Sequence, residues 1–294
     1  MSAGDRSQQG GVTTRVLGVF AVLGAFVVFV NWYNGSVAPL DEQTAESDPA
    51  VEQGQVAVAS DQAVETAAED TVLTDETGEV FSYLPVGELL PDSGPGFPDD
   101  TVYRPDIAFP TEDRAFLNSQ VYRYGGYYGS LNGMEGGQCE AENYGYPWQD
   151  TFCEKRSRDQ QLCPGGGHEG LDIRPATCEK NVHWAVAVEA GRVVDLRRHW
   201  VTLQTADGTI YNYLHLNMAA LEVELGAEVQ KGDRIGLISN DFYKSDGTSV
   251  ATTVHLHFEM YENYVSGEEE EPLFTKVNPY TTLVAAYDRR LRGE

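Results

Sequence analysis

Basic residues are scarce in this 294-residue chain: 20 Lys and Arg stand against 46 Asp and Glu, for a formal net charge of −26. Between Asn34 and Tyr103 there is none at all. Phosphate binding needs a basic surface, so this balance excludes nucleic acid as a partner. Much of the acidic excess lies in that same stretch, and a further run, Glu268 to Glu271, reads as a solvated loop. Like charge with few large apolar side chains does not offset the entropy of ordering, so residues 34–103 are expected to be a disordered acidic linker. Its later part, "EVFSYLPVGELLPDSGPGFPDD", is richer in apolar groups and suited to docking on the folded part.

Long hydrophobic runs are nearly as rare. The notable one is "VLGVFAVLGAFVVFV" at 16–30, with Trp32 and Tyr33 beyond it as interfacial anchors. Its length falls between a signal-peptide core and a full span of ~20 residues. The small-x-small site Ser36-Val37-Ala38 is followed by Pro39, which disfavours cleavage. Residues 1–33 are therefore read as a cytoplasmic tip and a transmembrane anchor, with secretion after signal cleavage as the alternative. Arg6 and Arg15 precede the run and nothing basic follows it until Arg104, which places the N-terminus in the cytoplasm. The expectation is a single-pass inner-membrane protein, held by its N-terminal helix, with its folded domain in the periplasm or extracytoplasmic space. Oligomeric state is left open.

Cysteine is sparse and no CxxC spacing occurs, which argues against a thiolate zinc site or a redox motif. Cys139, Cys153, Cys163 and Cys178 fall in one window, and an exported domain with an even number of clustered cysteines implies two disulfides. The pairing expected is sequential, Cys139 with Cys153 and Cys163 with Cys178, the second closing a loop around 164–177.

Helical periodicity is missing from most of the folded part. Residues 114–163 are rich in Gly, Tyr, Asn and Trp and read as strands and long loops suited to lining a groove. Short runs then follow one another, among them "HWAVAVEA", "GRVVDLRR", "WVTLQTA", "TIYNYLHL", "RIGLISN" and "TVHLHFEMYE". Turn signals separate them, including the Ala206-Asp207-Gly208 hairpin mark. Close spacing without intervening helices predicts a mainly β, antiparallel domain, a sandwich or folded ribbon closed by a short C-terminal helix in "NPYTTLVAAYDRRLRG".

Of only six histidines, two stand one residue apart in "TVHLHFEM". Alternation along a strand puts His255 and His257 on one face. Upstream, "GGGHEGLDIRP" offers His168 and Asp172 behind three glycines that let the backbone bend close to a ligand. A catalytic zinc needs three protein ligands and an open position, and His168, Asp172 and one of His255 or His257 supply that set. His215, in "YNYLHLNM", is a fifth candidate. His183 and His199, each beside a tryptophan, are read as structural or surface residues.

These segments resemble the lysostaphin-type, or LytM-domain, zinc endopeptidases that cut peptidoglycan cross-bridges. The likeness rests on "HEGLD" for H-x-G-x-D, "YNYLHL" for Y-x-H-L, "VELGAEVQKGDRIGLIS" for the family's glycine pattern, and "HLHFE", in the family's order. It covers about residues 168–278, within a peptidase domain expected over 104–294. The resemblance implies one Zn(2+) per chain on His168, Asp172 and His257, with His215 and His255 as the catalytic pair. It implies hydrolysis of peptidoglycan peptide outside the cytoplasmic membrane. The alternatives are a non-catalytic LytM-type module that binds the wall or activates a separate hydrolase, and a hydrolase of the same fold acting on another peptide. Two departures stand out. A longer "NDFYKSDGTSVATTV" precedes H-L-H and should border the groove, and the segment with Cys178 replaces the family's G-T-P. The N-terminal part is a candidate inhibitory prosegment, with Asn118 and nearby aromatics placed near the groove.

Overall fold

The computed structural model describes residues 72–128, 136–244, 246–267 and 271–294. The anchor expected over 1–33 and the linker over 34–71 lie outside the described residues. Among those described, no helix is long and apolar enough to cross a membrane.

Alternating apolar residues build thirteen strands: β1 (Ala115–Leu117), β2 (Leu171–Pro175), β3 (Trp184–Val186), β4 (Gly191–Leu196), β5 (Trp200–Gln204), β6 (Ile210–Leu214) and β7 (Leu216–Leu221), then β8 (Glu228–Val229), β9 (Arg234–Ile238), β10 (Asp241–Tyr243), β11 (Ser249–Ala251), β12 (Leu256–Tyr264) and β13 (Leu273–Val277). Helix α1 (Tyr280–Arg292) closes the chain and ends on Gly293, whose left-handed φ of 77° caps it. The main sheet runs β1-β2-β12-β6-β5-β4-β8, with β13 also on β12, and every pairing is antiparallel. A three-stranded sheet β3-β9-β7 and the hairpin β10-β11 complete the domain.

Strand β12 is the axis of the main sheet. One of its edges pairs with β6, and the other pairs first with β2 and then with β13. Its residues Leu256, Phe258 and Met260 are fully buried on one face, where they meet Tyr211, Tyr213 and Leu171 of the core. The opposite parity, His255, His257 and Glu259, shares the other face.

Within the stretch expected to be an acidic linker, residues 72–103 form a strap on the domain, and the apolar part suited to docking does dock. Residues 72–103 are held because Phe81, Val86, Phe97 and Tyr103 pack against the core. Backbone groups tie the strap down: Leu84 N–H donates to Trp148 O (2.9 Å), Gly87 N–H to Asp150 Oδ2 (2.8 Å) and Tyr103 N–H to Thr282 Oγ1 (3.1 Å).

The disulfides are Cys139–Cys178 and Cys153–Cys163, not the sequential pairs expected. The reason is tertiary. Backbone pairing of Cys153 and Glu154 with His168 brings Cys153 beside the turn after Cys163, while Cys139 reaches the far end of β2. The short bridge restrains the loop that leads into His168. Replacing Cys153 and Cys163 by serine should cost about 2–3 kcal/mol of stability by the loop-closure argument. Thermal unfolding of the double variant measures it, and a loss below ~1 kcal/mol would mean that the backbone pairing holds the loop alone.

Candidate metal centre

The register of β2 on β12 sets Asp172 directly opposite His257. Directly opposed antiparallel residues bring their Cβ atoms within ~5 Å, so the two side chains meet without any loop to place them. His255, two positions back, joins the same face. His215 follows β6 at once, in a left-handed backbone (φ 67°) that turns the chain into β7 and swings the ring towards β12. His168 arrives from the loop before β2. There Gly166 has φ 88°, and a Cβ on it would collide with the Arg158 carbonyl, so the tight approach needs glycine.

All five side chains are buried. His168 Nε2 lies 2.9 Å from His257 Nδ1 and 3.2 Å from Asp172 Oδ1, and His257 Nδ1 lies 3.0 Å from the same oxygen. His255 Nε2 stands 3.4 Å from Asp172 Oδ1, and the His215 ring centre is 4.6 Å from that of His255. His168, Asp172 and His257 each turn a donor atom to a common point, all within 4.8 Å of one another.

Outer partners decide the tautomers. His168 Nδ1 faces Thr151 O (2.9 Å), His255 Nδ1 faces Thr253 O (2.9 Å) and His215 Nδ1 faces Asp241 O (2.8 Å). A carbonyl only accepts, so each Nδ1 carries the hydrogen and each Nε2 is left as a lone pair. In His257 the pattern is reversed: Nε2 donates to Glu259 Oε1 (3.1 Å), which leaves Nδ1 as the inward lone pair. Two imidazole lone pairs and a carboxylate oxygen thus converge with no hydrogen of their own to share. Such a set is a ready ligand for a cation, and its N, N, O chemistry and outer hydrogen bonds fit zinc.

The charge states of His168, His215 and Asp172 agree. Burial pushes His168 down to about 4 and holds His215 well below the ordinary histidine range, so both rings are neutral. Burial also opposes the charge on Asp172, but the flanking His168 and His255 outweigh it and keep its pKa well below the usual carboxylate value. His257 differs: burial opposes its charge, but hydrogen bonds to the Asp172 and Glu259 carboxylates outweigh it and raise the pKa, so a proton on Nδ1 competes with a cation for this position.

Two hollows flank this cluster. A cavity of about 130 Å³ lies over His168, Asp172, His255 and His257, with Gln120 and Arg156 at its edge. A larger one, about 410 Å³, opens beside His215 and His257 and has aromatic walls of Trp200, Phe242, Tyr243 and Tyr261. Phe242 borders both, so the long segment before H-L-H does line the groove. The aromatics of 114–163 mostly do not. Trp148 and Phe152 are core residues, because the strap and α1 offer them a full apolar environment. Asn118 lines neither hollow itself, but its Oδ1 accepts from Gln120 Nε2 (2.8 Å), at the edge of the smaller one, and from Arg174 Nε (3.0 Å).

His199, expected to be structural or surface, is buried next to the cluster. It lines the larger cavity and stacks on His215 with ring centres 5.8 Å apart. The signal was faint, since His199 precedes β5 and meets His215 only through the pairing of β5 with β6. His183 is structural: it bridges Asp113 Oδ2 (2.7 Å) and Thr177 Oγ1 (2.8 Å). Glu259 and Lys276 were also missed as parts of the site, although Glu259 shares the strand parity of the two histidines.

The sequence model described as Peptidase family M23 matches residues 166–269. No curated protein matches the chain. Among solved structures, one described as a glycyl-glycine endopeptidase lytM from Ruminococcus gnavus is 22% identical with a TM-score of 0.38, over 62% of this chain and 61% of that one. The antimicrobial peptidase lysostaphin from Staphylococcus simulans is 24% identical with a TM-score of 0.30, over 40% and 45%. A zinc-containing peptidase from Vibrio cholerae is 25% identical with a TM-score of 0.24, over 32% and 26%. The chain spans less than two thirds of the length of each.

Proposed function

We propose that the chain, whose residues 166–269 match the model of peptidase family M23, is a zinc-dependent endopeptidase hydrolysing peptide cross-links of peptidoglycan outside the cytoplasmic membrane. The proposal includes one zinc ion on His168, Asp172 and His257, and a membrane tether at 16–30. The observation that carries it is the convergence of three donor atoms whose own hydrogens are all turned outward. An acidic linker of some tens of residues would let the domain search the wall, with a reach of ~30–40 Å on average.

A zinc ion held there supplies Lewis acidity, lowering the pKa of a water and polarising the scissile carbonyl. The chain's own groups do the rest. His255, with Nδ1–H committed to Thr253, keeps Nε2 free to take a proton at the cluster. His215, neutral and fixed by Asp241, offers a second Nε2 at 4.6 Å ring separation. Once protonated, either ring can hydrogen-bond the developing oxyanion or return the proton to the departing amine. The two cavities extend on either side of the rings, room for substrate on both sides of the cleaved bond.

Release of soluble fragments from purified peptidoglycan by the full-length chain tests this, before and after chelation and zinc return. His215→Ala should keep near-stoichiometric zinc while losing about 10²–10⁴-fold in rate, the usual contribution of a positioned acid–base group. Zinc bound without any cleavage by the intact protein would favour a wall-binding module instead.

A further inference from the structure

Glu259 is buried beside the cluster yet turned to the wrong side of His257 to be a ligand. Its Oε1 accepts from His257 Nε2 (3.1 Å), on the ring edge away from Asp172. Its Oε2 accepts from Asn212 Nδ2 (2.7 Å), and Asn212 Oδ1 in turn accepts from Thr202 Oγ1 (2.7 Å). Both oxygens are therefore occupied and the carboxylate has no freedom to rotate.

Lys276 of β13 completes the arrangement. The register sets it opposite Tyr261, so it reaches diagonally to Glu259 on the same face. Its Nζ donates to Glu259 Oε1 (3.0 Å) and also lies 3.1 Å from Oε1 of Glu169, the neighbour of His168. One ammonium group thus joins the two segments that carry His168 and His257. Glu169 is held in turn by Arg158 (3.2 Å).

We infer that Glu259 is a positioning residue that orients the His257 ring and strengthens its Nδ1 as a donor, and that Lys276 clasps the two ligand-bearing segments while balancing the buried carboxylate. The inference rests on the reading that His168, Asp172 and His257 hold a metal. An ion pair serving stability alone would have no reason to place Oε1 on His257 Nε2. A carboxylate there withdraws the ring's hydrogen and raises the basicity of the opposite nitrogen, an effect that neutral partners give more weakly.

The test uses the full-length chain, zinc competition against a chromophoric chelator, and the visible spectrum of the cobalt(II) form. Glu259→Gln is nearly isosteric and should bind zinc about 10–100-fold more weakly, with shifted cobalt bands. Lys276→Met should lower the unfolding temperature, because Glu259 is left buried without its counter-charge. The double variant E259Q/K276M should recover most of that temperature while keeping the weak zinc binding of E259Q. If E259Q binds zinc like the intact protein with an unchanged cobalt spectrum, Glu259 merely neutralises Lys276 and the positioning role falls. A double variant that recovers no stability removes the clasp. Failure of the intact protein to bind any metal overturns the proposed function itself, a result separable from both.

Discussion

Replacing His257 by alanine should empty the metal site and end peptide-bond cleavage. The ring supplies one of the three converging donors, and with it gone His168 Nε2 and Asp172 Oδ1 remain as a two-point site. Catalytic zinc sites rely on three protein ligands, so zinc content should fall from near one per chain to a trace. The rate should drop by at least about 10³-fold, equivalent to some 4 kcal/mol of transition-state stabilisation at ~1.36 kcal/mol per decade. Metal analysis, fragment release from peptidoglycan and far-UV circular dichroism on one preparation check it. The backbone pairing of β12 with β2 and β6 does not involve the ring, so the spectrum should be unchanged. Full zinc content in this variant would remove His257 from the ligand set. Cleavage that persists without zinc would sink the metallopeptidase reading as a whole.

Replacing Trp148 by alanine should be among the most destabilising single changes available. The indole is completely buried between Phe109 (ring centres 5.3 Å), Phe81 (4.9 Å) and Tyr287 (4.5 Å), which come from three separate parts of the chain. Its Nε1–H donates to Ala115 O (3.1 Å) at the start of β1. Truncation leaves a cavity and an unmet carbonyl, at a cost of about 3–5 kcal/mol. Against a typical total of about 5–15 kcal/mol, that is enough to threaten folding at growth temperature. Denaturant unfolding of the variant measures the loss. A cost below ~1 kcal/mol would show that strap, β1 and α1 pack independently of the indole.

Much of the site was legible because strand parity is a local property. His255 and His257 had to share a face, and the turn marks around 206–208 and 231–233 bound strands that the structure contains. The ordered histidine and glycine motifs also select residues that the fold then gathers. What escaped notice depended on partners distant in sequence. Glu259 and Lys276 face each other only because β13 pairs with β12, and His199 meets His215 only through the pairing of β5 with β6. The disulfides were mispaired because four cysteines allow three connectivities and separation along the chain does not choose among them. The docking of 72–103 was legible only in part, because composition averages over a segment, whereas a few aromatic residues such as Phe81 and Phe97 anchor it.

By itself the sequence determined that this is an acidic, mainly β chain carrying five groups suited to zinc chemistry, since charge, alternation and residue type are properties of each position. Tertiary structure decided which nitrogen of His168 and of His215 faces inward. For His168 and His215 that choice is made by the distant carbonyls of Thr151 and Asp241, and for His255 and His257 by Thr253 and Glu259 two residues along; only the fold gathers the four rings and Asp172 into one site suited to a cation.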